Sequence, residues 1–139
     1  TECIAVLQYI GDHSANAQLS APDGGASRYR VSEWLAYIST ELHKAYGPMF
    51  NPAASDAEKQ RALDALAKKF SWVENALGDR KFIVGETFTV ADAYLFTVLG
   101  WTKFIGLHLD KWPTLQRYHA AIGARPKVTA ALKTEGLIK

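Results

Sequence analysis

From Val90 to Ile105 only Asp92, Thr97, Thr102 and Lys103 are plainly polar, and the apolar residues run round nearly the whole of a helix rather than along one stripe. A helix of that pattern belongs inside a bundle. Its start is marked by Thr89 and Asp92: the hydroxyl can accept from the Asp92 N–H while the carboxylate reaches back to the Thr89 N–H. The stretch is too short and too polar to span a bilayer, so the other helices should pack around it.

Upstream, residues 28–50 read as one long amphipathic helix. Val31, Leu35, Ile38, Leu42, Ala45 and Met49 form its seam at alternating spacings of three and four. Beside that seam runs a strip of small and polar side chains, Ala36, Ser39, Thr40, His43 and Gly47, which would let a ligand or another backbone come close to His43. Gly47-Pro48 should bend or end the helix, and Asn51-Pro52 should close it. Ser55 to Glu58 is a capping box opening a second long helix, with Leu63, Leu66, Phe70, Val73 and Leu77 as its seam and Gly78 as its left-handed terminator. Two such helices joined by a short turn should lie antiparallel.

Residues 79–88 predict an irregular crossing anchored by Phe82, Ile83 and Val84, leading into the capped inner helix. Pro113 suits the first position of a helix that packs Leu115, Tyr118 and Ile122 and stops at Gly123. Pro126 starts a short one carrying Val128, Ala131 and Leu132. At the front, Ile4, Val6, Leu7 and Ile10 make a helix over residues 1–10 that needs a surface to lie on. Between them, residues 11–27 are rich in Gly, Ala, Ser and Asp without apolar periodicity, which predicts a linker and a domain boundary. The fold class is therefore all-α: a bundle of about five helices over residues 28–139 around the buried capped helix, preceded by one short helix.

Composition narrows the function classes. A chain of 139 residues with 48% apolar content can bury a real core, and a net charge of +2 with basic pairs only at Lys68-Lys69 and Arg80-Lys81 makes a weak nucleic-acid binder. One cysteine forbids an internal disulfide, and the chain shows no signal-peptide pattern, so a soluble cytoplasmic protein is expected. The first residue is Thr1, directly before what reads as helix, and the expectation is that something upstream is missing. The four histidines, His13, His43, His108 and His119, are scattered, with neither His-x-x-x-His nor Cys-x-x-Cys spacing, so no metal site is expected.

Two candidates for chemistry remain open on these residues. Cys3 at a helix start is either a nucleophile without an identifiable base or a small half-buried thiol. His43-Lys44 is either a solvated helix face or a ligand site. The Trp and Tyr residues read mostly as core.

Three stretches carry a family resemblance: TECIAVLQYI at the front, SRYRVSEWLAYISTELHK at Ser27 to Lys44, and FTVADAYLF at Phe88 to Phe96. In this order they resemble the C-terminal part of a bacterial beta-class glutathione S-transferase. The resemblance implies a subunit with a thioredoxin-like first domain, whose last helix alone is present here, followed by the helical domain, usually as a homodimer. It also implies glutathione as co-substrate, added to small hydrophobic electrophiles, with no nucleic acid or membrane as partner. The family's catalytic cysteine would lie upstream of Thr1, so Cys3 is not that nucleophile.

Glu2 matches the acid that binds the γ-glutamyl amino group. Cys3 stands where the family has Ser or Gly, keeping the N–H but replacing the hydroxyl by a poor donor. His43 and Lys44 match positions facing the glutathione site, His43 assisting catalysis, and Ala36, Thr40 and Trp101 would line the electrophile pocket. Taken strictly as 139 residues the chain is expected to be inactive. The rivals are a non-catalytic helical module that binds a protein or an apolar ligand and, on the slight basic excess alone, a nucleic-acid binder.

Overall fold

Helix α5, Val90–Gly100, is the innermost element, burying Val90, Ala91, Asp92, Tyr94, Leu95, Val98 and Leu99. The computed structural model describes residues 1–20 and 25–139. Around α5 it sets α1 (Cys3–His13), α2 (Gly25–Tyr37), α3 (Gly47–Phe50), α4 (Asp56–Leu77), α6 (Pro113–Gly123) and α7 (Pro126–Thr134). The all-α bundle anticipated from the apolar pattern is what forms. Among the described residues no helix is long and apolar enough to cross a membrane.

The capping box of α5 is present, and it does more than end a helix. Asp92 Oδ2 accepts from the Thr89 N–H at 2.8 Å and from the Thr89 hydroxyl at 2.9 Å. Oδ1 accepts from the Ile83 N–H at 2.8 Å and from the Tyr118 hydroxyl at 2.7 Å. One fully buried carboxylate thus ties the crossing segment and α6 to the central helix. Burial pushes its pKa up, and the four donors offset that. Burial and the neighbouring Asp92 in turn push the Tyr118 phenol well up.

Helix α4 opens on the expected Ser55–Glu58 box and ends at Gly78, whose φ of 53° lies in the left-handed region. Its buried seam is Ala62, Leu66, Phe70, Val73 and Leu77, with Leu63 only half-buried. Across from it, the Glu74 carboxylate accepts from the N–H groups of Thr114 and Leu115 at 2.9 and 2.8 Å, capping α6 from another helix. The Trp112 indole N–H donates to the Ser71 hydroxyl at 3.0 Å, so α4 and α6 are joined at two points.

Several expectations are corrected. The helix drawn over 28–50 is not continuous: α2 gives way at Ile38 to a π-helical segment, Ile38–His43, and α3 begins at Gly47 with Pro48 in its first turn. Asn51 is extended ahead of Pro52, as the proline ring requires. The buried seam holds for Val31, Leu35, Ile38 and Leu42, after which Ala45 and Met49 are half-buried and Tyr46 takes the inner position, donating its hydroxyl to the Val98 carbonyl at 2.9 Å. Helix α5 stops at Gly100, and Trp101–Phe104 tightens into a 3₁₀ turn with Thr102 buried and donating to the Leu99 carbonyl.

Helix α1 runs to His13, past the predicted end at Ile10, and lies on the bundle by Ile4, Leu7 and Gly11, whereas Val6 and Ile10 face outward with Tyr9. Gly11 explains how close it lies: a Cβ there would stand 2.9 Å from Ser20 Cβ and 3.3 Å from Val90 Cγ1. Of the stretch read as a linker, residues 21–24 lie outside the described residues. The rest is held at both ends. Asp12 takes a bidentate pair from Arg28 at 2.6 and 2.8 Å and a bond from the Ser20 hydroxyl at 2.7 Å. The Arg28 guanidinium keeps the Asp12 carboxyl well below the usual carboxylate range.

Candidate functional site

Glu2 is the extended residue ahead of α1, and its side chain makes no cap bond to its own helix. Both Glu2 and Cys3 are exposed. A helix leaves its first N–H groups without intrahelical partners, so this end offers backbone donors and a positive dipole beside a free carboxylate. The Gln8 side chain donates to the Ser32 hydroxyl at 3.0 Å and, with the Asp12 bonds, aligns α1 along α2.

Opposite that end, the π-helical segment carries Ser39, Thr40 and His43. Single π turns inside helices recur at functional sites, because the wider i→i+5 turn re-aims side chains. The His43 Nδ1 lies 2.8 Å from the Tyr94 hydroxyl, and its ring meets Trp101 edge-on at 4.6 Å between centroids. Tyr94 is 5% exposed, and its phenol feels the Ser39 hydroxyl and the Cys3 thiol electrostatically. Burial, first, and then the Cys3 and Glu2 acids push the Tyr94 phenol up, while the Ser39 bond lowers it. Tyr94 is the junction of the site.

The structure thus sets His43 against both Tyr94 and Trp101, with Glu2 and Cys3 near enough to the phenol to push its pKa up. Lys44 follows His43 on the exposed surface. Ala36 and Thr40 are exposed on the preceding turns, and the Thr40 hydroxyl is spent on the Ala36 carbonyl at 3.0 Å, which leaves its methyl as the group to offer. Thr89 and Asp92 are core, bonded as described. Sequence reasoning missed Tyr94. The available signal was that a tyrosine on a helix buried on nearly every face needs a partner for its hydroxyl. Among the described residues no group of three or more His, Cys, Asp or Glu gathers as a metal site would need.

Residues 37–126 match the family described as glutathione S-transferase, C-terminal domain. The chain belongs to the glutathione S-transferase family. It is 42% identical to glutathione S-transferase GstA of Escherichia coli over 99% of its own length and 68% of that protein's. Among solved structures it is similar to a bacterial beta-class glutathione S-transferase of Sphingomonas chungbukensis, with TM-score 0.92, 40% identity, and coverage of 99% of this chain and 69% of that one. It is likewise similar to a sphingomonad glutathione S-transferase complexed with glutathione, with TM-score 0.92, 38% identity and the same coverage. Membership of the glutathione S-transferase family makes the α1 end and the π-helical segment the first places to look for ligand contacts.

Proposed function

We propose that this chain is the helical part of a cytoplasmic, homodimeric beta-class enzyme that adds glutathione to small apolar electrophiles. Residues 1–10 close a thioredoxin-like domain in this reading, residues 11–27 link, and residues 28–139 form the second domain. The observation that carries it is His43, bonded to Tyr94 and edge-on to Trp101, with the α1 end close enough to act on the same phenol. An anion-accepting helix end beside Glu2 suits the zwitterionic γ-glutamyl group of glutathione, and an imidazole beside an indole suits its sulfur and an apolar acceptor. The glutathione bound to the sphingomonad relative supports the same ligand. The outward Val6, Tyr9 and Ile10 of α1 are the apolar face that the rest of a first domain would cover.

The chemistry needs a thiolate held at neutral pH next to an apolar pocket. Glu2 receives the γ-glutamyl ammonium, the first N–H groups of α1 receive its carboxylate, and His43 with Lys44 stabilises negative charge on sulfur. The sulfur lone pair forms the new C–S bond while the electrophile's leaving group departs with its electron pair. Trp101, Thr40 and Ala36 form the wall for the electrophile. No metal takes part in this scheme.

For the dimer, the fitting surface is the aromatic groove between α2 and α4. There Tyr37 and Trp72 lie 4.4 Å apart next to Trp34, and Trp72 and the neighbouring Tyr29 are 51% and 78% exposed. Sedimentation of the complete protein should give twice the subunit mass. Glu2→Gln in that protein should raise KM for glutathione about tenfold with a smaller change in kcat. The isolated 139 residues should turn over no chloronitrobenzene. Unchanged KM in the variant, or a full rate from the isolated chain, contradicts the reading. Tight binding of a protein partner with no turnover by the complete protein would favour the non-catalytic module.

A further inference from the structure

The Tyr94 hydroxyl has one proton and several claimants. His43 Nδ1 lies 2.8 Å away, and the Ser39 hydroxyl and Cys3 thiol act on the phenol electrostatically. A hydroxyl such as Ser39 can give its own proton to the phenol oxygen, whereas a thiol is a weak acceptor. An imidazole nitrogen lone pair is the strongest acceptor of the three. The phenol proton therefore goes to Nδ1, and a neutral ring that accepts there carries its own proton on Nε2.

The packing holds that arrangement. The His43 ring is edge-on both to Trp101, at 84°, and to the Tyr94 ring, at 76°, which fixes its Nδ1 edge against the phenol. Tyr94 is held in turn by its near-complete burial in α5.

We propose that Tyr94 is a positioning residue that locks His43 as the Nε2–H tautomer, so that the histidine offers a ligand sulfur an N–H donor and not a lone pair. This inference rests on glutathione being bound beside His43. A donor stabilises a thiolate and a lone pair repels it, so the tautomer decides whether His43 helps or hinders. Tyr94 touches no substrate in this role. It acts through the histidine.

The test is the ¹⁵N spectrum of the His43 ring in the complete protein, at alkaline pH where imidazoles are neutral. The expected wild-type spectrum has a pyridine-type Nδ1 and a pyrrole-type Nε2, with no averaging between tautomers. In Tyr94→Phe both nitrogens should move to averaged positions, and kcat/KM should fall about tenfold with KM for glutathione changed less than about threefold. Cys3→Ala should leave the ring spectrum unchanged, because the thiol is not where the phenol proton goes. A pyrrole-type Nδ1 in the wild type overturns the inference without any variant, and so does a Tyr94→Phe protein, folded by circular dichroism, with the wild-type ring spectrum. If the tautomer responds as expected but His43→Ala conjugates glutathione at the wild-type rate, the inference stands on geometry and the role given to His43 in the proposed function fails.

Discussion

Asp92 shows how one side chain sets the reach of a local motif. Its box with Thr89 was legible because both partners lie within one turn, but the bonds from Ile83 and Tyr118 come from 9 and 26 residues away and leave no periodic trace. Asp92→Ala strands four donors at the centre of the core, and at about 1–3 kcal/mol for each buried unsatisfied group the loss should exceed about 3 kcal/mol in urea unfolding, more than a surface cap is worth. A loss under about 1 kcal/mol would mean that the carboxylate is not the hub. His119 supplies the pH dependence. Burial lowers its pKa, with Lys103 adding to the shift. A base whose folded pKa is depressed is bound by fewer protons in the folded state. Its contribution is therefore complete above the ordinary imidazole value near 6.5 and is lost as pH falls through the lower folded value. The urea midpoint should drop between neutrality and pH 5 in the wild type and drop less in His119→Gln. Parallel curves would assign that slope elsewhere.

The elements divide by how local their determinants are. Helices α4 and α5 begin where Ser55 and Thr89 say, because a cap is decided within four residues. The π-helical segment was invisible, since Ile38 to His43 has a good α-helical pattern and the partners of its side chains, Tyr94 for His43 and Lys69 for Glu41, lie far away in sequence. The facing of α1 was open for a related reason: a helix of eleven residues does not reveal from its own sequence which of two apolar sides meets the bundle. Gly11 decides it by letting that side approach Ser20 and Val90. Gly11→Ala should cost about 1–3 kcal/mol through overpacking and raise KM for glutathione, because the helix end bearing Glu2 and Cys3 moves with it. Calorimetry with an unchanged melting temperature would show that the contact is slack. Glu74→Ala should cost about 1–2 kcal/mol by uncapping α6 across the α4 contact, read as a lower urea midpoint.

At the scale of the molecule, the helical body was readable from apolar periodicity, and the candidate site only in part. Cys3 and His43 stood out from local pattern and Glu2 came with the family resemblance, while Tyr94, which bonds His43, lies 51 positions from it. What the bundle contributes as a whole is rigidity: α5, fixed at its start by Asp92 and farther along by the Tyr46 bond to Val98, presents Tyr94 to His43, and the 3₁₀ turn that follows it presents Trp101 to the same ring. In the proposed function this framework holds His43 where it stabilises the sulfur of bound glutathione. The direct measurement is conjugation of glutathione to a chloronitrobenzene by the complete protein and by its His43→Ala variant, with circular dichroism confirming that both fold. The expected result is turnover by the wild type and a fall in kcat/KM of about ten- to a hundredfold in the variant, the worth of one preorganised donor. No turnover by the wild type, or equal rates from the two proteins, would contradict it.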